Sequence, residues 1–150
     1  MAPRCVSLRI ILWCHEMKIN VTDGSVSFAD GTIDPRQDRP AFLKTRIGAT
    51  SMVAFVNANW VNFNINPEAG VAATVIFDGD RLWGLLLSFH LPSDDARQWT
   101  EQLEHLRKAR HDEWLNAELG TPPYRYVWGE ITSDFDPRAC ASEIVLRYAG

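Results

Sequence analysis

Val61-Asn62-Phe63-Asn64-Ile65-Asn66 alternates apolar and amide side chains over six residues. A period of two places Val61, Phe63 and Ile65 on one face of a strand and the three asparagines on the other, so this strand has one dry and one wet face. Working outward, Met52 to Val56 is apolar at every position and predicts a strand that begins deep in a sheet. Downstream, Pro67-Glu68-Ala69-Gly70 turns the chain, Val71 to Phe77 is nearly continuously apolar, and Asp78-Gly79-Asp80 turns it again. The return run carries Trp83, Leu85, Leu87, Phe89 and Leu91 on one face. Nearer the start, Lys18 to Thr22 and Ser25 to Phe28 flank Asp23-Gly24, and Asp30-Gly31 follows: hairpin punctuation. Asp34 to Pro40 reads as polar loop, and Ala41 to Ile47 as a helical turn stopped by Gly48.

One long helix is expected after these strands. Ser93 is a good N-cap with Asp94 and Asp95 in the first turn, and Leu119-Gly120 followed by Pro122 and Pro123 ends the run. That spans about 26 residues and roughly 39 Å at ~1.5 Å per residue. Trp99, Leu103, Leu106 and Trp114 form its apolar stripe, which Arg110 interrupts. Beyond it, Tyr124 to Trp128 and Glu143 to Tyr148 alternate as strands, with Gly129 as a bulge and Ser133 to Arg138 as turn chemistry. The predicted fold is α+β: a single antiparallel sheet of six to seven strands, mostly a meander, with one long helix packed on one face.

The 150 residues hold 46% hydrophobic side chains and six tryptophans, which excludes a disordered or low-complexity chain and predicts one domain. A net charge of −4 argues against a nucleic-acid partner held by overall charge. Residues 1–16 read as a non-core tail or a mis-assigned start, with the single α+β domain over 17–150 and Met17 as the alternative first residue. Val6 to Trp13 is too short and too broken by Arg9 for a membrane span, and it lacks a small-residue cleavage site. Two of the three cysteines, Cys5 and Cys14, lie in that segment. Cys140 then stands alone in the domain, which favours a reducing, cytoplasmic setting.

Catalytic signatures are absent, and no catalytic residue, metal or cofactor is expected. His105 and His111 are six apart and point to different sides of the helix; Glu104, Lys108, His111 and Asp112 read as a solvated face with Glu104–Lys108 as a helix pair. Arg110, on the apolar stripe, is the charged residue expected to be structural. Glu130, Asp134, Asp136 and Glu143 cluster around the last hairpin, where Asp134 and Asp136 can cap a turn or offer an acidic contact surface. The amides of Asn62, Asn64 and Asn66 share the open face with Trp60 and can hydrogen-bond a polar ligand; His90 ends an apolar strand nearby in sequence.

In size and element order from Met17 onward, the chain resembles the small single-domain bacterial proteins found beside toxin genes, including immunity proteins that plug a toxin's active site. The resemblance implies a non-enzymatic protein-binding protein whose acidic residues, Asp134 and Asp136, meet a basic toxin. The alternative is a small-ligand binder or enzyme with a pocket between sheet and helix, lined by Trp60, Asn62, Asn64 and His90. A protein partner is expected, with no nucleic acid and no membrane.

Overall fold

The computed structural model describes residues 15–95 and 99–150. The expectations about Val6 to Trp13, Cys5, Cys14 and a tail over residues 1–14 lie outside the described residues. A small antiparallel sheet comes first, with β1 (Lys18–Ile19), β2 (Val26–Phe28) and β3 (Gly31–Ile33) in that order. Two short helices follow, α1 (Arg39–Lys44) and α2 (Arg46–Ala49). Gly48 lies inside α2 and does not stop a helix there: a Cβ on it would stand 1.9 Å from the Phe42 carbonyl oxygen, so the two helices can meet only at a glycine.

The main sheet has seven strands, all antiparallel: β4 (Met52–Asn57), β5 (Trp60–Glu68), β6 (Val71–Asp78), β7 (Arg81–Phe89), β8 (Tyr124–Tyr126), β9 (Gly129–Asp136) and β10 (Ala141–Tyr148). Their order is β4-β5-β6-β7-β10-β9-β8. β4 to β7 form a meander. The chain then crosses through the long helix α3 (Glu101–Leu119) and a second meander returns from the far edge, so that β10 closes against β7. An α+β fold with an antiparallel sheet and one long helix is therefore what the chain adopts.

One face of the sheet carries the core. Phe63, Val75, Leu85, Leu146 and Ile131 lie in one cross-strand row and Ile65, Ala73, Leu87 and Ile144 in the next, all buried. Each fully buried Leu or Ile contributes about 1.5–3 kcal/mol through lost apolar surface. Phe42 of α1 packs on Phe63 and Phe77, and the β1–β3 sheet adds Val26, Phe28 and Ile33 to the same cluster. His15 stacks on Phe89 at 4.4 Å, and the Glu16 N–H donates to Glu68.

Several local expectations change. β4 is the edge of the sheet and is exposed throughout; Met52, Val53, Phe55 and Val56 keep 73%, 61%, 49% and 63% of their surface. Apolar composition on both faces does not distinguish a central strand from an edge strand, because both lack alternation. Ser133 to Asp136 belongs to β9 and not to a turn, which lies over 137–140. Tyr124 to Trp128 is likewise a three-residue strand followed by a turn.

The helix is shorter than predicted, 19 residues or about 28 Å, because Asp94 folds a separate 3-10 turn over Pro92–Asp95 by accepting from the Leu91 N–H at 2.7 Å. Thr100 supplies the N-cap instead, accepting from the Leu103 N–H. Its buried face is Leu103, Glu104, Arg107, His111 and Leu115, while Trp99 and Leu106 are exposed. Glu104 and His111 are thus core residues, contrary to the solvated face read from the sequence, and Lys108 pairs with Asp112, not Glu104. Arg110 pairs with exposed Glu113, and the structural cation is Arg107.

Arg107 places all five of its N–H groups. Nε donates to Glu104, Nη1 to Asp94 and the Phe89 carbonyl, and Nη2 to both carboxylates, at 2.5–3.2 Å. Glu104 also accepts from the Ser142 N–H at 2.9 Å, and the Ser142 hydroxyl donates to the Glu104 carbonyl. Although burial pushes the Glu104 carboxyl up, the bonds from Arg107 and Ser142 outweigh it and hold the group below its usual range. Removing the cation strands two carboxylates, so Arg107→Ala is expected to cost about 3–5 kcal/mol in denaturant unfolding.

His111 Nε2 accepts from the Phe89 N–H at 3.0 Å, which puts the proton of the neutral ring on Nδ1. Burial pushes its pKa down to about 4. The unfolded chain therefore binds the proton first, and stability is lost as pH falls from about 6.5 toward 4. A thermal-melt series is expected to lose up to about 3 kcal/mol over that window, and His111→Gln to flatten this part of the profile.

Candidate functional site

The helices and the small sheet all pack on the core face; among the described residues no helix or further sheet packs on the other, where Ile76 is nonetheless buried by neighbouring side chains. The rows of this other face follow the strand register. Asn64, Thr74, Leu86, Val145 and Thr132 lie in one row; Asn62, Ile76, Gly84, Arg147 and Glu130 lie in the next. The alternation that buries Phe63 and Ile65 leaves Asn64 and Asn66 exposed and Asn62 half-buried. The Asn64 amide oxygen accepts from the Thr74 hydroxyl at 3.0 Å. At one corner Trp60 meets Trp83 edge to face, with ring centroids 5.7 Å apart.

Asp134 and Asp136 point to this same face from β9, four strand spacings or about 19 Å from the Asn column. Between them stands Glu143 of β10, directly opposite Asp134 in the register. It is half-buried beside Asn64, Asn66, Thr74 and Ser88 in a shallow hollow of about 330 Å³. Glu143 has no hydrogen-bond or ion-pair partner among the described residues. Burial, reinforced by the negative charges of Asp136 and Glu104, pushes its carboxyl above the usual range. The like charge of Asp136 on the paired strand repels the ionised carboxylate, a cost that a cation from outside would reduce.

His90 is elsewhere. It follows the last residue of β7, roughly 20 Å along the strand from the Trp60–Trp83 corner, with Nδ1 at 3.3 Å from Asp94. Asn66 and His90 share a hollow of about 430 Å³ that Arg107 also lines, but the Arg107 charge is already matched by Asp94 and Glu104. The structure thus gathers Trp60, Asn62, Asn64, Asp134 and Asp136 on one face and leaves His90 apart. Glu143 reads from the sequence as a member of the acidic group around the last hairpin; its lack of a partner depends on which strands flank it. Among the described residues no cluster of three or more His, Cys, Asp or Glu side chains forms a metal site, and no helix is long and apolar enough to cross a membrane.

Comparison with protein-family models, with curated proteins and with solved structures finds no match for the chain.

A raised carboxyl destabilises the folded state once the unfolded chain ionises, above about pH 4.5. Glu143→Gln is therefore expected to raise Tm at pH 7 and to leave it unchanged near pH 3. Calorimetry at the two pH values checks this.

Proposed function

We propose that this chain is a non-enzymatic protein-binding protein of the immunity type, acting in the cytoplasm, which meets a basic partner with the open face of its sheet. The observation that carries this reading is Glu143: a half-buried carboxylate with no ion-pair partner among the described residues, opposite Asp134 in the register and lining one hollow with Asn64 and Asn66. A Lys or Arg from a partner relieves the repulsion, and complementary charge speeds encounter and disfavours acidic competitors. Trp60 and Trp83 add aromatic area at the far corner, and Asn62, Asn64 and Asn66 supply donors and acceptors between.

The test is co-expression with a basic, growth-inhibiting protein encoded in the adjacent gene, followed by binding kinetics on the purified pair. The wild-type chain is expected to protect growth. The double variant Asp134→Asn/Glu143→Gln is expected to weaken binding at least about tenfold and to reduce the salt dependence of association. Unchanged affinity and salt dependence in the double variant would overturn the assignment of this face. Failure of the neighbour's product to bind the wild-type chain would remove the immunity reading.

A further inference from the structure

Among the described residues the outer edge of β9 is half unpaired. β8 covers only Gly129, Glu130 and Ile131, while β9 continues to Asp136, so residues 132–136 have β10 on one side and no described strand on the other. β8 cannot be prolonged to cover them, because Pro123 immediately precedes it and has no N–H to give. Facing this free edge is α3, whose Lys108, Asp112 and Asn116 recur every four residues as one stripe. Helix and strand edge together bound a groove of about 560 Å³, closed at one end by Pro122 and Pro123.

Ser133 lines this groove, and its hydroxyl oxygen is buried with no hydrogen-bond partner among the described residues. Unpaired main-chain groups in a row, walled by a helix, are the geometry by which domains add an extended segment to a sheet.

The side chains around the edge set the character of that segment. An added strand alternates its side chains, one set lying beside Thr132, Asp134 and Asp136 on the open face and the other beside Ser133 under the helix. Asp134 and Asp136, with Glu143 one strand further in, favour Lys or Arg in the first set. Lys108 does not compete for them, being bonded to Asp112 at 2.8 Å. On the helix side Phe135 and His105 pack together with ring centroids 4.7 Å apart, so a small residue is the one expected in the set beneath α3.

We infer that an extended segment of a protein partner, alternating basic and small residues, pairs with β9 over residues 132–136 in the groove beside α3. The basic character of the partner rests on the reading of the open face given above; the strand pairing rests on the free edge and on the groove that α3 walls.

The peptide acetyl-Lys-Thr-Lys-Thr-Lys-amide, titrated into the full chain labelled with nitrogen-15, tests the pairing. Amide shifts are expected at residues 132–136 and along the facing stripe of α3 at roughly millimolar peptide, with slowed hydrogen exchange on the β9 edge. Two further peptides carry N-methyl groups at the Lys or at the Thr positions. In a strand only alternate residues aim their N–H at a given neighbour, so one of the two is expected to bind at least about fivefold more weakly and the other not. Equal binding of all three overturns strand pairing and leaves the basic-partner reading standing. Absence of shifts at residues 132–136 overturns the pairing as well. Equal binding of acetyl-Glu-Thr-Glu-Thr-Glu-amide overturns the basic character of the segment. Failure of the open-face reading shows separately, in a whole-partner complex that ignores Asp134→Asn/Glu143→Gln.

Discussion

The backbone of Phe89 anchors the long helix to the sheet. Its N–H donates to His111 and its carbonyl accepts from Arg107, so both main-chain groups at the end of β7 are satisfied by side chains of α3. Its ring meets His15, His111 and Trp114. Buried main-chain groups at a strand end need partners, and helix packing by apolar contact alone would leave these two without any. Arg107 and His111 thus set where α3 stops sliding along the sheet, and Glu104 repeats the bond on the neighbouring strand through Ser142.

This attachment explains why the buried stripe of α3 is polar at its centre. A buried guanidinium costs several kcal/mol in lost hydration, and the cost is offset only when geometry and partners are complete. Here each N–H of Arg107 has an acceptor, and the counter-charges come from two places in the chain: Glu104 one turn earlier on the helix and Asp94 in the 3-10 turn before it. With α3, α1, α2 and the small sheet all on the core face, the other face of the seven strands carries no helix or further sheet among the described residues. The two sheet edges differ in the same spirit. β8 is short, flanked by proline and carries Arg125, all features that discourage edge pairing. β4 has a bulge between Val53 and Phe55 but no charge and no proline, and is apolar and exposed.

Much of the sheet was legible in local pattern. Strict alternation at Val61 to Asn66 identified the buried and open faces of β5, and Asp78-Gly79-Asp80 marked the turn after β6, whereas of Pro67 to Gly70 only Ala69 and Gly70 turn, Pro67 and Glu68 ending β5. The end of α3 at Gly120 was legible for a similar reason, since glycine at positive φ followed by proline has a short-range cause. The start of α3 was not: Ser93 and Asp94 have N-cap chemistry, but Asp94 caps a separate 3-10 turn and bonds Arg107 thirteen residues away. The helix face was misread because hydrophobicity is a proxy for burial. It fails where a charge is buried with its partners, as at Glu104, Arg107 and His111.

For the candidate site, residue type and spacing placed Trp60 and the asparagines on one open face and singled out Asp134 and Asp136 as acids near one another. Only the tertiary structure put β10 between β7 and β9 and so stood Glu143 opposite Asp134 and beside the hollow of Asn64 and Asn66. It likewise left β9 longer than its neighbour β8. Which residues alternate, which turn and which cap follows from local sequence, because those choices are made by steric and hydrogen-bonding preferences within a few residues. Strand order, the free edge and an unmatched charge depend on pairings between distant segments, and no local preference encodes which strand becomes another's neighbour.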